Sequence, residues 1–489
     1  MKRLLAFALA AVMLLSVTAC KANREPDVIE GDANLLTQSE SKKEDIVIEQ
    51  SFSSSSEESK TESESEISES ETSSEPSSSK SEASQSSISS SLQPSSVSSS
   101  LPLTSSSLVS ETSSDSPKDE SVSVYGETRA VWISYLEYQS IMTGKTEKQF
   151  TSSIRKMFKN LADDGFNTVY VHARSHSDAM YDSDIYPWSV YCAGEEGKAP
   201  GYDPLEIMVD EAHDAGLRIE AWVNPYRIKG TTDTSKISSG SPAYDWLGTD
   251  KVVVVEGAGI FYNPADEDVI DLVVSGVKEI VKNYGVDGIH FDDYFYPTTA
   301  ESFDSSYYNK YKASGGKLSL SDWRRQNVNT LIKKVYSAIK SIDSGCRFGI
   351  SPTGKMSSNY SSLYCDVYTW VTSSGYIDYI CPQLYYGFNH GSLPYLSALS
   401  EFNDMITANG VELIVGLAGY KSGAADNYAG SGKNEWVENN DILSRQVRAA
   451  RNEDNYGGFA IYRYDSIYNP ASSVAEAVGK EYDSLKKYM

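Results

Sequence analysis

Eight short runs of apolar or β-branched residues recur between residues 125 and 489, separated by helix-length amphipathic stretches. The runs are Arg129–Ser134, Thr168–Arg174, Arg218–Asn224, Gly288–Tyr294, Arg347–Pro352, Tyr379–Tyr385, Leu413–Gly419 and Gly458–Tyr464. Phe150–Asp164 places Ile154, Met157, Phe158 and Leu161 on one helical face. Pro204–Ala215, Asp268–Tyr284, Trp323–Ile342 and Ile442–Arg451 repeat that 3.6-residue pattern. Gly165, Gly216, Gly285 and Gly410 each lead straight into an extended run. Glycine ends helices in this way because it adopts the left-handed conformation without a Cβ penalty. Strand–helix alternation repeated eight times predicts an α/β domain, a (β/α)8 TIM barrel with long loops over residues 125–489. An open doubly wound sheet would carry a glycine-rich phosphate turn after its first strand. Tyr135-Leu136-Glu137-Tyr138 stands there instead.

The first quarter of the chain cannot contribute to such a core. Residues 1–20 have Lys2 and Arg3, an apolar run from Leu4 to Val17, and end Val17-Thr18-Ala19-Cys20. The run is short for a bilayer span and has the flanks of a secretory signal. Small residues before a cysteine resemble a bacterial lipobox, which implies lipidation at Cys20, retention of that residue in the mature chain and attachment to the cell membrane on its extracytoplasmic side. Residues 21–124 are dominated by Ser and Glu with almost no aromatics. Such a segment buries too little apolar surface to offset its conformational entropy, so a disordered tether is expected.

The formal net charge is −25, and both the Ser/Glu-rich segment and the remainder are acidic. That balance argues against nucleic acid as a partner. Besides Cys20 the cysteines are Cys192, Cys346, Cys365 and Cys381, whose spacing fits no zinc or redox motif. Cys381 lies in an apolar run and is expected to be a core thiol. No metal, no cofactor and no obligate protein partner are predicted.

In a barrel of this kind the active site lies at the carboxyl ends of the strands, so the last residues of each run matter most. Side chains alternate along a strand. In the fourth run His290, Asp292 and Tyr294 share one face; Asp292 is expected to point into the mouth with His290 beneath it. Asp293 falls where the chain is already turning. Two adjacent carboxyl groups at a strand end are costly unless solvated, paired or useful. The third run offers Glu220, Trp222, Asn224 and Tyr226 on one face, with Glu220 deeper and a candidate partner of Arg174 or His172. The second run offers Tyr170, His172 and Arg174. The sixth ends in Gln383, Tyr385 and Tyr386, and the eighth carries Arg463. Amide, guanidinium, phenol and indole groups together suit a neutral polyhydroxylated ligand. Asp292, Asp293 and Glu220 are the candidate catalytic residues. His172, Arg174, Trp222, Asn224, Tyr226, His290, Tyr294, Gln383, Tyr385, Tyr386 and Arg463 are the candidate substrate contacts.

Glycoside hydrolysis ordinarily uses two carboxyl groups across the scissile bond. Neighbours with opposed side chains rarely meet one sugar, so Asp292 is expected to take a partner from elsewhere. Glu220, Glu137, Asp178, Asp182 and Asp184 are candidates, and Asp293 joins them if the strand ends early. Alternatively a substrate N-acetyl group serves as nucleophile, with Asp292 and Asp293 orienting it and donating the proton. A His290-x-Asp292 metal pair is a weaker alternative, because barrel metallohydrolases contribute more histidines.

RAVWIS, GFNTVYVHAR, YDPLEIMVDEAHDAGLRIEAWVNPYRI, GVDGIHFDDYFYP, FGISPTGK and YIDYICPQLYYGF occur in that order. Together they resemble the glycosyl-hydrolase-like family ten barrels over nearly all of residues 127–470. The resemblance implies a (β/α)8 fold, an extracytoplasmic location and hydrolysis of cell-wall or surface glycans containing amino sugars, a peptidoglycan-type substrate among them. It also implies that Asp292 and Asp293 form the catalytic centre, with Asn224-Pro225-Tyr226 and Pro382-Gln383-Leu384-Tyr385-Tyr386 at the cleft. The first loop departs from the Asn/Asp-Trp-Pro-type segment of many members. A non-catalytic glycan-binding lipoprotein on the same scaffold is the alternative function.

Overall fold

Chain alternation sets the interior of the domain, and inward-pointing residues of the strands form a separate core from the outward-pointing ones. The computed structural model describes residues 126–489. The expected signal segment 1–20, lipidation at Cys20 and the tether over 21–124 lie outside the described residues. In chain order the strands are β1 (Thr128–Ile133), β2 (Thr168–Arg174), β3 (Arg218–Val223), β4 (Arg227–Lys229), β5 (Val252–Val255), β6 (Gly259–Tyr262), β7 (Gly288–Phe291), β8 (Arg347–Ile350), β9 (Tyr379–Ile380), β10 (Glu412–Ala418) and β11 (Tyr456–Tyr462). Eight of them close a barrel in the order β1-β11-β10-β9-β8-β7-β3-β2, with neighbouring strands parallel. The expected TIM barrel is therefore the observed fold.

The expected helices form as Glu147–Asp163, Pro204–Asp214, Glu267–Tyr284, Leu320–Ile342 and Ile442–Ala450. The first four starts are capped by side chains that accept orphan backbone N–H groups: Thr146 and Gln149 as a reciprocal box, Asp203 ahead of Pro204, Asp266 and Ser319. Gly165 and Gly285 follow their helices with φ of 94° and 60°, a region that favours glycine. Glu267–Tyr284 buries Val269, Ile270, Val273, Val277, Ile280 and Val281 against the sheet. Each such side chain contributes roughly 1.5–3 kcal/mol on burial.

Several elements escaped the sequence pattern, a helix and a small sheet among them. Tyr395–Met405 is a helix between β9 and β10. Between β3 and β7 the chain makes a three-stranded antiparallel sheet in the order β4-β6-β5.

Inside the barrel the packed residues are Ala130, Trp132, Tyr170, Trp222, Tyr379, Cys381, Ile414 and Ala460, with Tyr462 against them. Cys381 is a core thiol, and Cys192, Cys346 and Cys365 are likewise buried and unpaired. Two inward positions are glycine for a steric reason. A Cβ at Gly288 would lie 2.7 Å from Glu220 Cδ, and one at Gly349 would lie 1.9 Å from the Tyr379 ring. The missing side chains make room for long ones leaning across from β3 and β9.

Candidate active site

β7 ends at Phe291, so Asp292 and Asp293 both lie past the last laddered residue, at the carboxyl end of the barrel. Asp292 is 3% exposed and Asp293 is 6% exposed. The Trp222 indole donates to Asp292 Oδ2 at 2.9 Å, and the Tyr294 backbone N–H donates to Oδ1 at 3.3 Å. Burial, and then the Asp293 charge beside it, push the Asp292 carboxyl well above the ordinary carboxylate range; the Trp222 N–H and the Arg227 guanidinium oppose that shift. Asp292 is thus a carboxyl poised to carry a proton. It leans toward β3. The Asp293 charge acts on Tyr385 after β9 and, together with that of Asp292, on Cys365 in the loop after β8.

Behind Trp222, on the side of β2, the His172 ring lies face to face with the indole at 3.4 Å between centroids and 18° between planes. Its Nδ1 accepts the backbone N–H of Tyr135 at 3.2 Å, and its Nε2 lies 3.2 Å from Asn224 Oδ1. Burial holds this imidazole well below the usual histidine range, so it is neutral. Around the mouth, half-buried Tyr385 sits edge-on to Tyr420 and tilted against Tyr462. The Arg227 guanidinium covers the Tyr294 ring at 5.0 Å. Gln383 Nε2 donates to the Ser351 carbonyl at 3.2 Å, tying β9 to β8 beneath Tyr385. Tyr386 packs edge-on to His390.

Beneath this layer runs a second polar system. Trp132 Nε1 donates to His290 Nε2 at 3.1 Å, which obliges Nδ1 to carry the proton facing Tyr379 Oη at 2.7 Å. The Tyr379 hydroxyl in turn donates to Glu220 Oε2 at 2.5 Å. Burial lowers His290 to about 3 and raises Glu220. Glu220 is fully buried at the level of Gly288, two residues below His290. It was a candidate catalytic partner of Asp292, and the structure removes it from the mouth. It is structural, as its depth suggested, but its partner is Tyr379 from β9 and the charge it feels first is Arg347, not Arg174 or His172. His290, a candidate contact, lies in the same layer with both ring nitrogens engaged. Its one lone pair faces Trp132, which leaves none for a His290-x-Asp292 metal pair. Among the described residues no group of three or more His, Cys, Asp or Glu is arranged to hold a metal ion.

Other candidates are also placed elsewhere. Arg174 does not enter the mouth. The ladder between β2 and β3 shifts register between His172 and Arg174, so the alternation is broken and Arg174 turns outward. There its guanidinium covers Tyr186 at 4.4 Å, against Gly276 of the outer helix Glu267–Tyr284. Tyr226 is fully buried with Phe295 in the outer core, because the chain leaves the barrel after Asn224. Arg463 is engaged by Glu137 at 2.6 Å. Glu137 also accepts from the Ser134 backbone and hydroxyl, so this acid caps the helix Tyr135–Ile141 and anchors Arg463. Asp178 is buried near Lys229 and Ser189, its carboxyl raised to about 6 mainly by burial. Asp182 and Asp184 sit on the outer side, their backbone N–H groups taken by Asp203 and by Glu279 of the outer helix.

Trp132, Arg227, Tyr420 and Tyr462 were not among the candidates. Alternation from Ala130 points Trp132 inward, so that signal was available. Arg227 follows the Asn-Pro-Tyr turn, and nothing in its neighbours marks its return toward Asp292.

A closed parallel barrel with a buried carboxyl raised above the ordinary carboxylate range, a second carboxyl beside it and aromatic rings at the carboxyl ends of its strands is a barrel of the glycoside hydrolase class. The chain belongs to the glycosyl hydrolase-like 10 family, whose profile matches residues 127–436. It is similar to glycosyl hydrolase YngK of Bacillus subtilis, 35% identical over 320 residues, which are 60% of this chain and 61% of that protein. The chain therefore matches about three-fifths of that relative's length. It is also 32% identical to glycosyl hydrolase DigH of Escherichia coli K12 over 335 residues, 64% of this chain and 75% of that one. Among solved structures, the glycoside hydrolase domain of PgaB (BpsB) from Bordetella bronchiseptica shares 13% identity at a TM-score of 0.45, covering 73% of this chain and 99% of that one.

Proposed function

We propose that the protein hydrolyses glycosidic bonds in a bacterial cell-wall or surface glycan built from 2-acetamido sugars, working outside the cytoplasm from a lipid anchor at Cys20. The observation that carries this is Asp292: a buried carboxyl, held by Trp222 and raised by burial and by Asp293, at the mouth of a barrel ringed with aromatic side chains. Glu220, Glu137, Asp178, Asp182 and Asp184 have other places, which favours a mechanism in which the substrate supplies its own nucleophile. The acetamide oxygen of the sugar attacks C1 while Asp292 passes its proton to the departing glycosidic oxygen. The Asp293 carboxylate accepts the acetamide N–H and stabilises the cyclic oxazolinium. Water then adds to C1 and returns a proton to Asp292, giving a hemiacetal with retained configuration.

The test is release of reducing ends from purified cell-wall glycan strands, with products identified by mass. Hydrolysis at the wild-type rate by Asp292→Asn would sink the assignment. Equal turnover of glycans lacking the 2-acetamido group would sink the substrate-assisted step while leaving the enzyme. The alternative, glycan binding without cleavage, predicts affinity with no reducing-end release.

A further inference from the structure

The His172 imidazole touches two groups that flank Asp292, and a third contact fixes its own proton. Tyr135 is the first residue of the helix Tyr135–Ile141, where backbone N–H groups lack partners inside the helix. Its N–H points at His172 Nδ1. A backbone N–H donates and never accepts, so Nδ1 of the neutral ring is the lone-pair nitrogen and Nε2 carries the hydrogen. That hydrogen goes to Asn224 Oδ1. With Oδ1 turned onto the His172 ring, the two Nδ2 hydrogens point away from it. Asn224 follows Val223, which pairs in register with Phe291, so Asn224 and Asp292 stand at the same height on adjacent strands. The face of the same ring backs the Trp222 indole whose N–H holds Asp292.

We infer that His172 is a positioning residue and not a substrate contact: its fixed tautomer holds the Asn224 amide with Oδ1 on the ring and the Nδ2 donor turned away from it, and its face steadies the indole that orients the acid. The ligand chemistry this selects beside Asp292 is an oxygen acceptor on the sugar, a hydroxyl or an acetamide carbonyl. The inference rests on Asp292 being the acid only for its effect on turnover. The tautomer itself is independent of that.

Two measurements test it. In 15N-histidine-labelled protein at neutral pH, the His172 signals, identified by their loss in His172→Phe, should show a protonated Nε2 and an unprotonated Nδ1. The opposite tautomer overturns the inference whatever the activity. For turnover, His172→Phe keeps a ring against Trp222 but loses both hydrogen bonds. It should lower kcat on cell-wall glycan strands about 10²-fold, the scale of a misplaced catalytic geometry, with the fold intact by circular dichroism. His172→Gln, whose amide supplies a donor to Asn224, should recover most of that loss. A folded His172→Phe with full kcat overturns the inference. Full activity of Asp292→Asn is a different result, which removes the proposed acid and leaves the tautomer measurement standing.

Discussion

Glu220 and Asp292 are two buried carboxyl groups that stand at different heights in the barrel. Glu220 sits in the lower layer and Asp292 at the rim, and burial is the largest cause of a raised pKa in both. Glu220 is enclosed by Tyr379 and by the space that Gly288 leaves, and it ends a chain of donors from Trp132 through His290. Asp292 ends no such chain. Its oxygens take one indole N–H and one backbone N–H, past the end of the sheet. A perturbed carboxyl is therefore a poor marker of chemistry by itself. Which residues stand above it decides whether a substrate can reach it.

The same substitution in the two layers separates them most sharply. Asp292→Asn removes a proton donor and should lower kcat by about 10²–10⁴-fold, the usual contribution of general acid catalysis, with little change in melting temperature. Gly349→Ala disturbs only the lower layer. The new methyl would overlap the Tyr379 ring, and overpacking of this kind costs about 1–3 kcal/mol in chemical denaturation. Glu220→Gln leaves Tyr379 an acceptor and should cost about 0.5–1.5 kcal/mol, one hydrogen bond's worth, with kcat of the folded enzyme nearly unchanged. A loss of turnover as large as that of Asp292→Asn would erase the distinction between the layers. The smallest effect is electrostatic. Asp292 works protonated, so kcat/KM should fall as pH rises through its raised pKa. Asp293→Asn lowers turnover through the lost carboxylate at the acetamide, and it also removes the negative charge that helps raise Asp292, so the basic limb of the remaining activity should move to lower pH. An unmoved limb would show that the two carboxyls do not share a field.

Much of the scaffold was legible because its signals are local. Helix periodicity and the glycine after several helices depend on a few adjacent residues, and the barrel followed from counting the strand–helix units. Asp292 was placed correctly at the strand end by alternation. Arg174 was misplaced by the same rule, because the register shift after His172 reverses the face and leaves no mark in the residue types. The depth of Glu220 was legible. Its partner was not, because Tyr379 arrives from a strand 159 positions later in the chain. The β5–β6 hairpin had a signal, four valines followed by Glu256-Gly257-Ala258-Gly259, that was hidden inside a long strand–helix connection.

The glycine at 349 also restricts how this barrel can change. Its absent side chain and the Tyr379 ring fill one volume from two neighbouring strands. Enlarging 349 requires shrinking 379, but shrinking 379 discards the phenol that joins His290 to Glu220. A change at either position alone is therefore costly, and a tolerated change at this level requires concerted replacement of both. Chimeras of related barrels spliced between residues 349 and 379 would combine halves selected against different neighbours, which makes that interval a poor crossover point for recombination.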